Sequence, residues 1–191
     1  MNRQSNESSP RMPGSLQKQA PPRSRGFTLV ELMVALVVAL VFLSLAIPSM
    51  GWFVNNNRVA GLANDFTKSV TVARSESLKR GVPVSICSST DQATCAGSTD
   101  WSTGWIVFTD NSGTAGTLDD TDALIYIQDA LRGSVSFSTT VNSVRYNATG
   151  SLATASNITF SLTPQNCNSD QRRDITIRPQ GYSTVAKASC S

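Results

Sequence analysis

The run of residues 27–50 holds 24 residues and only one charged side chain, that of Glu31. As a helix rising about 1.5 Å per residue it would extend about 36 Å, enough to cross a hydrocarbon core of about 30 Å. Pro48 lies inside this run, and a proline within a helix predicts a bend. We therefore expect residues 27–51 to form a membrane-spanning helix that places the two flanking segments on opposite sides of a membrane.

The charge before this run predicts its orientation. Residues 1–26 contain five Lys or Arg side chains against one Glu, and the Ser, Pro and Gln around them predict disorder. The positive-inside rule keeps such a segment in the cytoplasm, so residues after 51 face outward. A cleaved secretory signal peptide is the competing interpretation, but its apolar region is shorter and a small-residue cleavage site follows it.

The composition excludes several kinds of catalytic site. The chain has 191 residues and no histidine, which excludes a Ser-His-Asp triad, a Cys-His nucleophile pair and a histidine-ligated zinc. No pair of carboxylates lies in a recognisable catalytic context, so we expect neither an enzyme nor a cofactor. The length fits one ordinary domain with an additional segment.

The four cysteines show no C-x-x-C spacing, so disulfides are expected and with them an oxidising compartment. Four cysteines allow three pairings. Proximity along the chain favours Cys87 with Cys95 and Cys167 with Cys190.

An amphipathic helix is predicted directly after the apolar run, over residues 52–81. Its apolar stripe recurs at three- and four-residue spacing, in Val59, Leu62, Ala63, Phe66, Val70 and Ala73. Lys79, Arg80 and Gly81 suit a helix C-terminus, because cations favour the negative end of the helix dipole and glycine accepts a left-handed conformation.

Residues 82–191 read as a β-rich domain, because short β-prone runs alternate with clusters of Gly, Asn, Ser and Asp. The expected strands are 83–87, 104–109, 124–129, 135–138, 143–147, 158–162, 175–179 and 182–188. We expect an α+β fold in which the helix stripe covers one face of an antiparallel sheet.

Glu31 lies in a motif that indicates a second role for the apolar run, beyond crossing a membrane. A carboxylate near the start of such a helix either snorkels to the headgroups or marks a function. The sequence Arg-Gly-Phe-Thr-Leu-Val-Glu, residues 25–31, resembles the class III signal of type IV pilins and pseudopilins. The resemblance implies that a prepilin peptidase removes residues 1–26 by cutting after Gly26 and that Phe27 becomes N-methylated. It also implies that Glu31 takes part in assembly and that Pro48 bends the helix.

A second group of residues resembles the GspH/FimT-type minor pilins and pseudopilins. It comprises residues 73–77, 79–84, 104–108 and Asp110. The resemblance implies a type IV pilin fold and a minor pilin that helps to initiate or cap pilus assembly, for adhesion and twitching motility. The implied partners are other minor and major pilins, prepilin peptidase, the inner membrane and the pilus assembly platform. The implied location is the inner membrane, with the C-terminal domain in the periplasm, and then the pilus.

Two alternatives within the same family remain open, a type II secretion pseudopilin and a DNA-binding competence pilin. Some FimT-like pilins bind DNA through a C-terminal Gly-Arg-x-Arg motif, whereas the corresponding residues here are Gly181, Tyr182, Ser183 and Thr184. DNA is therefore the weaker candidate partner. Its contacts would have to come from Arg172, Arg173, Arg178 and Lys187.

The remaining charged and aromatic motif residues have simpler interpretations. Arg74 and Glu76 read as solvated helix charges, and Trp105 and Phe108 read as core. Calcium prefers oxygen ligands, which makes a weak candidate site of Asp110, Asp119, Asp120 and Asp122. The spacing fails the EF-hand pattern, and an acidic, Gly-rich turn between two strands is the simpler interpretation.

Overall fold

The computed structural model describes residues 26–111 and 114–190, without the side chains of residues 45–50 and 52. The chain divides into two compact units, Met1–Ser44 and Leu45–Ser191. The described elements are α1 (Leu29–Arg80), β1 (Val84–Ser88), β2 (Trp105–Thr109), β3 (Leu124–Gln128), β4 (Val135–Ser138), β5 (Ser143–Tyr146), β6 (Ile158–Pro164), β7 (Arg172–Ile177) and β8 (Ser183–Ala188). The leader expected over residues 1–26 lies outside the described residues except for Gly26.

In the first unit α1 begins at Leu29, and its large apolar side chains are exposed on every side of the helix. Across the described part of the chain, no helix combines the length and the apolarity that a membrane crossing needs.

In the second unit the predicted stripe of α1 forms one wall of the core. Val59, Ala63, Phe66, Val70 and Ala73 are all buried, and Leu62 packs beside them. The predicted C-terminus is also confirmed. The helix ends at Arg80, and Gly81 follows with φ 66° while its N–H bonds to the carbonyl of Ser77 at 3.0 Å, the left-handed stop that glycine favours.

The eight predicted strands form two antiparallel sheets rather than the single sheet expected. Sheet A has the order β3, β2, β1, β5, and sheet B has the order β4, β6, β7, β8. The α+β fold, with a helix packed on antiparallel strands, is confirmed. The start of β7 differs most from expectation, because the strand begins at Arg172 instead of residue 175. Its first residues are charged, so no apolar alternation marked them as strand.

Phe66 lies at the centre of the core and joins the helix to both sheets. Its ring centroid is 5.2 Å from that of Trp105 in sheet A. In sheet B the ring centroids of Phe137 and Phe160 lie 4.9 Å and 4.4 Å from that of Phe66. The ring centroid of Trp101, in the loop before β2, lies 5.8 Å away. The contacts with Trp101, Trp105 and Phe137 are edge-to-face, an arrangement that adds to the free energy of burial.

A smaller apolar cluster covers the outer face of sheet A. Cys87, Ile106 and Phe108 are fully buried there under Cys95 and Leu118. Cys87 and Cys95 form a disulfide with 5.6 Å between their Cα atoms. This bridge therefore holds part of the cover over the outer face.

A second disulfide joins Cys167 and Cys190, whose Cα atoms are also 5.6 Å apart. It ties the end of the chain to the loop before β7. The two bridges are the pairings that proximity along the chain favours.

Candidate assembly site

Thr28 and Glu31 define the start of α1. The Thr28 hydroxyl accepts a hydrogen bond from the Glu31 N–H at 3.2 Å, and the Thr28 carbonyl accepts one from the Leu32 N–H at 3.1 Å. Thr28 is thus the N-cap, and Glu31 is the third helical residue, as in a capping box. The spacing Thr-x-x-Glu is a sequence signal for this cap, and our prediction did not use it. The positive end of the helix dipole also stabilises a carboxylate at this position.

The peptide bond between Gly26 and Phe27 lies just outside this helix. Residues 26–28 have no regular secondary structure and are exposed. No heavy atom lies within 4 Å of the position that a Cβ on Gly26 would take. The bond predicted for cleavage therefore lies on exposed backbone outside the helix, where a peptidase can reach it.

The first turns of α1 expose apolar surface on all sides. Phe27 is 82% exposed, Leu29 75% and Val30 68%, and the exposure continues to Leu43 at 56%. A helix that is apolar all round needs an apolar environment, either lipid or other helices. Glu31 is the one charge in this exposed surface. The backbone of Pro48 lies within α1, its side chain is outside the described residues, and the bend expected there stays a prediction.

The four candidate DNA contacts do not form one basic patch. Arg173 is 5% exposed and donates to the Asn56 side chain and to the carbonyl of Asp170 at 2.8 Å. Arg172 is paired with Asp174 at 2.9 Å. Arg178 lies over the ring of Tyr182 at 5.9 Å, and Lys187 is exposed on β8.

The four candidate calcium ligands do not converge either. Asp119 accepts from the Thr121 N–H at 3.0 Å and from its hydroxyl at 2.7 Å, contacts that hold the pKa of Asp119 below its ordinary value, with the hydroxyl as the larger cause. Asp122 accepts from the Asn111 N–H at 3.0 Å. Over residues 26–111 and 114–190, no group of three or more His, Cys, Asp or Glu side chains could hold a metal ion. The described residues therefore give the weak calcium candidate no support, because Asp119 and Asp122 accept hydrogen bonds from the turn that contains them.

Asp110 has a structural role that the sequence did not reveal. Its carboxylate is fully buried and lies 2.8 Å from Nε of Arg145 on β5, an ion pair. The same oxygen accepts from the Ser85 hydroxyl at 2.5 Å and from the Gly116 N–H at 2.9 Å. Asp110 therefore ties the loop after β2 to β1 and β5.

The motif residues that carried the family resemblance have mixed roles. Trp105 and Phe108 are core residues, as expected. Arg74 is more than a solvated charge, because its Nε donates to the Gly150 carbonyl at 3.1 Å and so holds the loop after β5. Glu76 is paired with Arg80 at 2.5 Å, and this hydrogen bond is the main cause that lowers the pKa of Glu76.

Comparison with protein families gives two matches that together cover most of the chain. Residues 62–181 match the family described as Type II transport protein GspH. Residues 21–47 match the prokaryotic N-terminal methylation motif. Among curated proteins, no sequence matches the chain significantly.

Solved structures with a similar fold include the type IV minor pilin FimU of Pseudomonas aeruginosa PAO1. One crystal form matches with a TM-score of 0.56 and 21% identity, over 73% of this chain and 99% of FimU. A second crystal form matches with a TM-score of 0.52 and 20% identity, over 69% and 99%. The minor pseudopilin EpsH of the Vibrio cholerae type 2 secretion system matches at a TM-score of 0.46 and 12% identity, over 69% and 97%.

Proposed function

The chain belongs to the GspH family, whose members are structural pilin or pseudopilin subunits rather than enzymes, and from this premise we propose that it is a minor type IV pilin. Its role is to help initiate or cap pilus assembly, in support of adhesion and twitching motility. It is made as a prepilin and cleaved after Gly26, and Phe27 is then N-methylated. The match of residues 21–47 to the methylation motif supports this processing.

The observation that carries the proposal is the apolar surface of α1 over its first 16 residues, Leu29 to Ser44. A surface so exposed in a single chain requires a partner in the assembled protein. We propose two successive partners, the inner membrane before assembly and the helices of neighbouring pilins afterwards. The proposed membrane crossing includes residues 45–50, whose side chains are outside the described part of the structure.

Glu31 gives this apolar surface its specificity. Cleavage after Gly26 creates a positively charged amine at Phe27, which is costly to bury without a partner. The Glu31 carboxylate of a neighbouring subunit, four positions along the helix, can neutralise that amine inside the apolar bundle. A subunit that lacks one of the two groups would leave the charge of the other group unpaired. Correct pairing would therefore fix the position of each subunit along the bundle.

The β domain supplies the surfaces that face other subunits and the solvent. Two disulfides suit a domain that functions outside the reducing cytoplasm. We propose that prepilin peptidase processes the chain on the cytoplasmic side and that the pilus assembly platform then transfers it into a complex with other minor and major pilins.

A set of Glu31 variants tests the proposal. Glu31→Ala should insert into the inner membrane normally but lower the number of surface pili. Glu31→Gln is the matched control for the cap, because glutamine suits the third position of a capping box but carries no charge. If charge pairing matters, Glu31→Gln should assemble as poorly as Glu31→Ala. Wild-type numbers of surface pili in Glu31→Gln would refute the proposed role of the charge.

A type II secretion pseudopilin is the second candidate function, favoured by the description of the matching family. It would use the same leader, helix and methylated terminus. Deletion of the gene separates the two, since a pseudopilin predicts loss of protein secretion with normal twitching and a minor pilin predicts the reverse.

DNA binding has less support than either function. Two of its four candidate contacts, Arg172 and Arg173, already bond within the protein. The weak binding that remains would come from Arg178 and Lys187 and would depend strongly on salt.

A further inference from the structure

Arg58 lies on α1 just beyond the apolar run. It is the only charged residue between Glu31 and Asp65, and it lies eight positions after the end of that run, about 12 Å along a helix. The headgroup layer of a bilayer extends about 5 to 8 Å beyond the hydrocarbon core. Because long side chains on a helix lean toward its N-terminus, the guanidinium of Arg58 is within reach of this layer. Phe53, one turn earlier, is 57% exposed, as suits an aromatic side chain among headgroups.

Two loops of the β domain lie against α1 beside Arg58. In the loop between β3 and β4, Gly133 adopts φ 87°, and a Cβ there would collide with the Arg58 guanidinium. At the end of the loop between β6 and β7, Arg173 donates to the side chain of Asn56. These contacts fix the position of both loops relative to the helix.

A small polar cavity of about 180 Å³ lies between α1 and these two loops. Arg58 lines this cavity, and its polar neighbours there are Asn55, Ser134, Gln165 and Asn166. Amide and hydroxyl side chains can both donate and accept hydrogen bonds. The cavity therefore combines a cation with several groups that suit hydroxylated ligands.

Arg132 places a second cation next to Gly133. Arg58 and Arg132 are both exposed. Among the residues that the structure describes, neither forms an ion pair or a hydrogen bond. They differ in this from Arg145 and Arg172, which are paired with carboxylates.

The carboxylates near these loops have other contacts. Asp100 accepts from the N–H and the hydroxyl of the residue two positions later, at 2.9 Å and 2.6 Å. Asp129 accepts at 2.6 Å from a glutamine side chain in the loop after β1. Asp170 is exposed, and its carbonyl accepts from Arg173. An anion can therefore reach Arg58 without displacing an ion-pair partner within the described structure.

We infer that this cavity binds the headgroup of phosphatidylglycerol. The phosphate binds Arg58 and Arg132, because a guanidinium forms two parallel hydrogen bonds with phosphate oxygens. The glycerol hydroxyls bind the amide and hydroxyl side chains of the cavity. A headgroup with an ammonium, such as that of phosphatidylcholine, is disfavoured because it brings a further positive charge to the two arginines.

The bound lipid holds the β domain at the membrane surface until assembly removes the subunit from the bilayer. The inference rests on the proposed function, because only a chain anchored in a membrane presents this cavity to a lipid headgroup.

Native mass spectrometry of the full chain in detergent micelles, titrated with phosphatidylglycerol, tests the inference. One lipid should stay bound to each chain. Arg58→Gln should raise the dissociation constant about tenfold, and Arg132→Gln should raise it about threefold. Arg58→Lys should also raise it about threefold, because lysine keeps the charge but lacks the planar fork. Arg178→Gln is the matched control, since it removes an exposed cation at the other end of β7 and should have no effect.

Two further probes identify the chemistry and the source of the ligand. Phosphatidylcholine should bind about tenfold more weakly than phosphatidylglycerol, because its ammonium faces the arginines. Glycerol phosphate has the same polar groups but no acyl chains to hold it in the micelle, so it should bind about a hundredfold more weakly. Equal affinity for glycerol phosphate and phosphatidylglycerol would identify a soluble anion as the ligand and overturn the inference.

Three other results would also overturn it: equal losses in Arg58→Gln and Arg178→Gln, equal binding of the two lipids, or no retained lipid. Thermal unfolding of Arg58→Gln like that of the wild type would show that the variant is folded. None of these results concerns surface pili, whose dependence on Glu31 tests the proposed function separately. Conversely, wild-type pili in the Glu31 variants would refute the proposed role of Glu31 while leaving the lipid measurement unchanged.

Discussion

Trp105 of β2 donates its indole N–H to the hydroxyl of Ser69 on α1 across 2.9 Å, and both side chains are fully buried. This bond connects the helix to sheet A inside the apolar core. We predict that Ser69→Ala lowers the free energy of unfolding by about 1 to 3 kcal/mol, because the buried indole N–H loses its acceptor. Denaturant unfolding followed by tryptophan fluorescence measures the change. Ser75→Ala, on the exposed side of the same helix, is the control and should have almost no effect.

The ion pair between Asp110 and Arg145 predicts an asymmetry between its two partners. Arg145→Met leaves a fully buried carboxylate without its cation and should cost about 3 kcal/mol. Asp110→Asn should cost less, because the amide oxygen can still accept from Ser85 and Gly116 while the arginine side chain, 31% exposed, can turn to water. Unfolding in denaturant compares the two variants. Equal losses would show that the pair contributes no more than its hydrogen bonds.

The bridge between Cys167 and Cys190 should stabilise the end of sheet B. Replacing both cysteines by serine removes a constraint of about 3 kcal/mol on the loop-closure model. Hydrogen exchange should rise first in β8, which the bridge ties to the loop before β7. The matched control removes Cys87 and Cys95 and should increase exchange in the loop after β1 instead. Uniform exchange in both variants would contradict these local roles.

The hydrogen bonds to Asp91 predict that the free energy of unfolding decreases at acidic pH. The Thr94 hydroxyl, then the N–H groups of Ala93 and Thr94, hold the pKa of Asp91 well below the ordinary value of 3.8. Because the folded pKa is the lower one, its contribution is present above the ordinary value and is lost as pH falls through the folded pKa. Unfolding free energies from about pH 5 to about pH 2 should therefore fall less steeply in Asp91→Asn than in the wild type. Asp120→Asn is the control for the loss of one negative charge. The same dependence of unfolding free energy on pH in Asp91→Asn and Asp120→Asn would contradict the prediction.

Gly181 tests the close approach of two loops beside the core. It adopts φ 87°, and a Cβ there would collide with the carbonyl oxygen of Gly150. Gly181→Ala should destabilise the domain by more than about 1 kcal/mol and loosen the contact of Arg74 with the Gly150 carbonyl. Gly61→Ala is the matched control, because nothing lies within 4 Å of its Cβ position and alanine favours the helix by about 1 kcal/mol. Thermal unfolding of both variants gives the comparison.

The elements of this fold that depend on local sequence were predictable, and those that depend on distant pairing were not. The stripe from Val59 to Ala73 has helical spacing, so its burial followed from periodicity alone. The eight strands also carried local signals. Their division into two sheets did not, because strand order depends on contacts between residues far apart in sequence, such as those that gather four rings around Phe66.

The candidate site shows the same division. Gly26, Phe27 and Glu31 were predicted from a short motif, because peptidase recognition acts on consecutive residues, and their roles stay predictions. Arg173 was interpreted as a surface cation, yet it is buried because its acceptor, Asn56, lies on α1 more than one hundred positions earlier. No spacing within residues 172–187 could have shown that partner.

The burial of the stripe on α1 has a consequence for the order of events in biogenesis. The stripe begins at Val59, more than thirty residues after the bond that the peptidase is expected to cut. Neither disulfide includes a residue from the first unit. We therefore expect disulfide formation and folding of the β domain to be complete while the leader is still attached. Cleavage would then be required for assembly and not for folding.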